Sequence, residues 1–188
     1  ASAFTILFMC WSISLLLRKL LKRNKEVLSS TDQLAVLAAS FIGSTAFAFT
    51  DSFWFNAVEA EVYAMAMFML SALFYVALLW ERDMFKPRGN RWLMLICFIV
   101  GLSFGVHFMA LLTIPAIGFL YFFKNYKTIT IKNFIVANVI VVAVLMFIFK
   151  FLLPYTLSFF GYAEVFFVNS FGLPFNSGTI IAGIVFIG

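Results

Sequence analysis

The sequence predicts an all-α polytopic transmembrane helix bundle of about seven spans, and three observations lead to it. The chain is 64% hydrophobic and 20% aromatic, with 27 Phe among 188 residues, more apolar surface than a soluble domain of that size can hide. Of the 13 Lys and Arg, all but Lys150 fall into three clusters between apolar stretches. These are Arg18, Lys19, Lys22, Arg23 and Lys25; Arg82, Lys86, Arg88 and Arg91; and Lys124, Lys127 and Lys132. The stretches between them carry almost no charge, so lipid is the natural solvent, and the positive-inside rule turns the basic clusters toward the cytoplasm.

Residues 2–17 make the first span and run directly into Arg18-Lys19. The charges follow the apolar run and no small-residue cleavage pattern comes after it, so it reads as a span and not as a signal peptide. The chain lacks an initiator Met and stops at Ile187-Gly188 inside another apolar run. The expectation is a fragment of a larger membrane protein, with its first and last spans truncated. Residues 33–50 return outward, and their Ala, Ser and Gly suit close helix packing in a bilayer, with Thr31 and Asp32 as candidate caps. Residues 51–61 hold Asp51, Glu59 and Glu61 without a base and form an external loop. Residues 61–80 lead back to Glu81-Arg82-Asp83, and the run Lys86-Pro87-Arg88-Gly89-Asn90 is a turn.

A single helix over residues 92–123 would measure roughly 48 Å, against a hydrocarbon core of about 30 Å. It would also carry Lys124, Lys127 and Lys132 to the wrong side. A helical hairpin of spans 92–110 and 114–123 solves both problems. Its turn is expected at Thr113-Ile114-Pro115, because proline removes a helix hydrogen bond and disfavours helix in the residue before it. Gly101 and Gly105 then form a small-residue ridge for a close helix neighbour. Residues 133–153 go outward and Pro154 ends them. Residues 155–178, interrupted by Gly161, Gly172, Pro174 and Gly178, lie at the external surface, and 179–188 open a seventh span. All belong to a single transmembrane domain over 1–188, without repeats or a soluble domain.

The net charge of +5 is a topology signal beside apolar spans, and no nucleic-acid partner is expected. Cys10 and Cys97 lie far apart within apolar stretches, in no metal-ligand spacing, and fit small buried hydrophobes. There is no phosphate-cradling glycine loop, no G-x-S-x-G, no H-E-x-x-H and one His only, so catalysis would rest on carboxylates, amides and that imidazole. The orientation gathers Asp51, Asn56, Glu59, Glu61, His107, Glu164, Asn169 and Asn176 at or near the external face. Acids near membrane depth are costly and usually functional, though Glu61 in a first helical turn also fits a capping role. His107 fits either a hydrogen bond to a neighbouring helix or a proton-carrying or ligand role. The run Phe53-Trp54-Phe55 fits an interfacial aromatic belt as well as a stacking surface for a sugar or a lipid headgroup.

Three stretches carry a family resemblance. They are Phe53-Trp54-Phe55-Asn56 followed by Glu59-Ala60-Glu61-Val62-Tyr63; Gly101-Leu102-Ser103-Phe104-Gly105-Val106-His107; and Glu164 to Gly178, with Val168-Asn169-Ser170 and Gly172-Leu173-Pro174-Phe175-Asn176-Ser177-Gly178. Together they resemble a bacterial multi-spanning membrane family formerly of unknown function, which is similar to GT-C glycosyltransferases, including protein O-mannosyltransferases. The resemblance implies a GT-C-like fold and transfer of a sugar from a polyprenyl-phosphate carrier, the donor substrate, to a protein or glycan acceptor. The transfer would occur on the periplasmic side of a bacterial inner membrane, amid membrane lipid. The resemblance further implies Glu59, Glu61 and His107 as catalytic residues and Asp51, Trp54, Asn56, Asn169 and Asn176 as substrate contacts, with metal dependence open. Such enzymes carry an essential acid in their first external loop. This chain starts in what resembles their second helix, so the fragment alone is expected to be inactive. Two other classes stand beside this one: a non-catalytic membrane subunit of an envelope or secretion complex, and a transporter. Transport would string ionisable groups along a path through the membrane, whereas here they cluster at one face.

The charge segregation generates a direct expectation. With Cys10 and Cys97 replaced, a cysteine at Asn56 should react with a membrane-impermeant reagent in intact spheroplasts, and one at Asn90 should stay protected. Labelling at Asn90 but not at Asn56 would invert the topology.

Overall fold

The computed structural model describes residues 1–23, 25, 27–59, 62–126 and 128–187. Glu61 and Lys127 lie outside the described residues. Among the described residues every regular element is helical, and the chain is a helical membrane protein. Four helical stretches are long and apolar enough to cross a bilayer: Ser2–Lys22, Tyr63–Asp83, Phe108–Asn125 and Ile131–Phe171. A pair bent by 66°, Ser30–Ala48 with Asp51–Val58, would make a fifth. The expected seven spans thus meet four or five of spanning length, with Asn90–Ser103 and a C-terminal helix as shorter apolar ones. The chain divides into two compact units, Ala1–Thr130 and Ile131–Gly188.

In the first unit, α1 (Ser2–Lys22) and α4 (Tyr63–Asp83) lie side by side in the same direction. Phe4 and Phe8 meet Phe68, Phe8 and Trp11 meet Tyr75, and Lys19 reaches Glu81. Helix α2 (Ser30–Ala48) also packs on α1, with Val36, Ser40 and Ser44 buried. The hydroxyls of Ser40 and Ser44 donate to Val36 O and Ser40 O at 2.7 and 2.8 Å, so small polar side chains allow a close approach without unmet hydrogen bonds. The cap of α2 differs from expectation. Ser29 is the N-cap, its hydroxyl accepting the Asp32 N–H at 3.1 Å, while the Asp32 carboxylate accepts the Ser29 N–H at 3.0 Å. Asp32 sits three residues in because a capping box needs a hydroxyl first and an acid at that position.

The core is built around α4. Met69, Leu73, Val76, Ala77 and Trp80 are buried with Ile96 and Ala110, and α4 also packs on α5 (Asn90–Ser103) and α6 (Ile114–Asn125). The tight turn before α5 requires Gly89: a Cβ there would collide with the Asp83 carbonyl oxygen, and Arg88 next to it takes φ 68°.

The two arms of residues 92–123 return to one end of α4. Trp92 Nε1 donates to Asp83 at 3.1 Å and Lys124 Nζ lies 3.1 Å from Glu81. The turn, however, falls about eight residues earlier than expected. Helix α5 stops at Ser103, and the chain reverses over residues 104–107. It then enters a 3-10 segment, Phe108–Thr113, that continues into α6. Pro115 occupies the first turn of α6, where its missing N–H would have had no partner anyway, so it starts a helix instead of turning one. The glycine ridge fails for the same reason. Gly105 lies beyond the helix end, and a Cβ on Gly101 would meet nothing within 4 Å.

The second unit corrects two further expectations. Pro154 does not end a helix: α7 (Ile131–Phe147), a π-helical turn (Ile148–Leu152) and α8 (Leu153–Phe171) follow one another without a break. The wider turn places the Leu153 N–H on Ile148 O and accommodates a residue that lacks its own N–H and crowds the preceding turn. Residues 155–171 are therefore helix and not a broken surface segment. The continuous stretch has 41 residues, about 62 Å at 1.5 Å each, twice a hydrocarbon core. Gly172 closes α8 at φ 62°, the left-handed cap that glycine adopts without strain, and α9 (Ser177–Ile187) packs back along α8.

Candidate functional site

Residues 51–58, expected as a loop, form a short helix, α3 (Asp51–Val58). Thr50 is its extended N-cap residue, and Asp51 stands in its first turn, where the helix dipole favours an acid. Buried Phe53 packs on Phe47 at 4.9 Å, and Trp54 stacks on Phe49 at 5.8 Å with 14° between the rings. One face of the indole is thereby taken, and the side chain remains 55% exposed. Asn56 donates to Ser52 O at 2.7 Å, one turn back on its own helix. Glu59 ends α3 in extended backbone (φ −74°, ψ 142°) and is half-buried. Sequence spacing left open whether Glu59 and Glu61 share a face. Glu59 is extended, and Glu61 lies outside the described residues.

His107 sits in the turn between α5 and the 3-10 segment, in extended backbone, half-buried. Its Nδ1 accepts the Met109 N–H at 3.1 Å, making it the cap of the segment that follows. An Nδ1 that accepts leaves the proton of the neutral ring on Nε2. The ring lies 5.6 Å from that of Tyr63, at the start of α4. Below it, buried Ser103 accepts the His107 N–H on its carbonyl at 2.8 Å and donates its hydroxyl to Val100 O at 2.7 Å.

Asp51, Trp54, Asn56 and Glu59 on and after α3, with His107 against Tyr63, thus belong to the end of the first unit at which α4 begins. The chemistry on offer is one carboxylate beyond a helix end, an amide, a half-covered indole and an imidazole with a defined donor nitrogen. Among the described residues no three of His, Cys, Asp and Glu converge on a common point for a metal.

Asn169 and Asn176 belong to the second unit. Asn169 is exposed in the last turn of α8. Asn176 adopts φ 71°, a conformation that Asn tolerates better than most residues. The residue that organises this region is Glu164, which sequence reasoning placed near the external face without a role. Its two oxygens accept the N–H groups of Asn176 and Thr179 at 2.5 and 2.8 Å, and the Thr179 hydroxyl donates at 3.1 Å. A carboxylate thus closes the N-terminus of α9 from the facing helix. The only signal in the sequence was an acid eight residues before a turn rich in Gly, Pro, Asn and Ser.

Residues 1–130 match the family model described as the protein O-mannosyl-transferase TMEM260 N-terminal domain. That range coincides with the first unit and contains two of the three resembling stretches. No curated protein and no solved structure matches the chain.

The α8–α9 turn can be tested by stability. A Cβ on Gly178 would stand 2.5 Å from Ala163 O and Glu164 Cα, so Gly178→Ala must push α9 off α8, at a cost of about 1–3 kcal/mol for overpacking. Glu164→Gln should lower the melting temperature less, since an amide retains one acceptor. Unchanged melting of both variants in detergent would contradict the clamp.

Proposed function

The chain belongs to the protein O-mannosyl-transferase TMEM260 N-terminal domain family, and we propose that it forms part of a GT-C-type membrane glycosyltransferase. The proposed reaction moves a sugar from a polyprenyl-phosphate carrier to a hydroxyl of a protein or glycan acceptor. It takes place at the α3 end of the first unit, on the face of the membrane opposite the basic clusters. The observation that carries this reading is the family match, which spans α3, the start of α4 and the His107 turn together.

Such a transfer needs a base for the acceptor hydroxyl, donors for the departing phosphate, and a groove for the lipid. Glu59 and Glu61 are the carboxylates that orient the acceptor. His107, with Nδ1 held by Met109 N–H, presents Nε2–H as a donor suited to a phosphate oxygen. Trp54 offers its uncovered face to a sugar ring, and Asp51 and Asn56 contact substrate from the same helix. An external-facing site fits the segregation of charge, since the acids of this end meet no basic cluster in the sequence.

The test is transfer of a labelled sugar by the full-length protein in reconstituted membranes. His107→Asn retains a side-chain acceptor for the Met109 N–H and so preserves the cap, while removing Nε2–H. It should keep its melting temperature and lose transfer by about tenfold or more, the low end for a lost acid–base or charge-stabilising group. Glu61→Gln should behave alike. Full transfer by both variants would remove these residues from the mechanism and favour a non-catalytic membrane subunit.

A further inference from the structure

At the other end of the first unit the C-termini of α1, α4 and α6 and the segment leading into α2 enclose a cavity of about 870 Å³. Six cations line it, Arg18, Lys19, Lys22, Arg23, Arg82 and Lys124, against one carboxylate, Glu81. They are not equivalent. Lys19 and Lys124 hold Glu81 at 2.9 and 3.1 Å, and Arg82 is paired with Asp83 at 2.9 Å. Arg18, Lys22 and Arg23 have no carboxylate partner among the described residues. They are exposed at the end of α1 and so remain open to an anion. The rest of the wall is apolar, with Leu15 and Leu16 one turn deeper on α1 and Leu78 on α4.

We propose that this cavity binds the headgroup of an anionic membrane phospholipid, its phosphate held by Arg18, Lys22 and Arg23 and an acyl chain laid against Leu15, Leu16 and Leu78. The size suits a headgroup, since small-molecule sites run at about 300–1,000 Å³. A phosphodiester matches the guanidinium fork and a cluster of ammonium groups. Basic pockets between transmembrane helices bind such headgroups, and each nearby Lys or Arg strengthens the attraction to an anionic surface. The leucines favour a lipid over a free phosphate, because a soluble anion would leave them uncovered. The three cations lie on and just after a helix of spanning length, at the depth where a headgroup resides. This site is independent of the proposed transfer, none of whose residues line the cavity.

The test uses the full-length protein in detergent, with lipid adducts counted by native mass spectrometry. Phosphatidylglycerol should be retained over phosphatidylcholine by about tenfold, and Lys22→Gln with Arg23→Gln should abolish that preference, since two charges at about fivefold each are enough to account for all of it. The control pair Arg91→Gln with Lys132→Gln removes the same charge from exposed positions outside the cavity and should change retention by less than about twofold. Glycerol 3-phosphate and inorganic phosphate at millimolar concentration should not displace the lipid. Equal retention of the two lipids, or equal loss in both double variants, would overturn the proposal. Displacement by inorganic phosphate alone would assign the cavity to a soluble anion and overturn the lipid assignment. None of these outcomes depends on sugar transfer.

Discussion

Glu81 and Asp83, each 6% exposed at the C-terminal end of α4, are where the helices of the first unit are tied together. A carboxylate withdrawn from water is costly unless cations and donors surround it. Here those partners come from four places. Lys19 arrives from α1 and Lys124 from α6. Arg82 and Lys86 come from α4 itself and the turn after it, and Trp92 from α5. The requirement is geometric as much as electrostatic. Meeting it brings the ends of α1, α5 and α6 to one level, which fixes the direction of each helix relative to α4.

Once those ends are fixed, the other end of the unit follows. Helix α4 has 21 residues, roughly 31 Å at 1.5 Å each, close to one hydrocarbon thickness. Tyr63 and the His107 ring against it are therefore about one bilayer away from the carboxylates. The two ends differ in chemistry as well as position. One gathers cations around paired acids and a cavity; the other presents α3 and an imidazole. The proposed lipid contact and the proposed group transfer thus fall at opposite ends of α4.

The sequence made the apolar helices and the basic ends legible because both are properties of composition over long windows. Local breaks were harder. Pro115 and Pro154 were both read as stops, yet one starts a helix and the other lies within a continuous one. Proline penalises a helix only where its N–H and ring are not accommodated, at a first turn or after a π turn, and that accommodation is a tertiary matter. Gly101 and Gly105 matched a packing ridge by spacing, but the helix carrying them ends between the two. The candidate site was legible as residue types and an end of the bundle. What could not be read was that Nδ1 of His107 is committed to its own turn, or that Glu164 closes the α9 N-terminus across a helix pair. Both depend on where a backbone N–H points after the chain reverses. The ion pairs of Glu81 and Asp83 were hidden differently, since the Glu-Arg-Asp triplet looks like the polar end of a span and its partners lie up to 62 residues away in sequence.

The convergence of helix ends on α4 is open to a direct distance measurement. Spin labels at Arg91 and Asn125, in the full-length protein in a bilayer, report whether α5 begins and α6 ends at the same surface. Convergence on Asp83 and Glu81 predicts a separation well inside the hydrocarbon thickness, under roughly 20 Å where that core is about 30 Å. A separation of about 30 Å or more, as a single crossing from residue 92 to 123 requires, would contradict the clamp and the topology built on it.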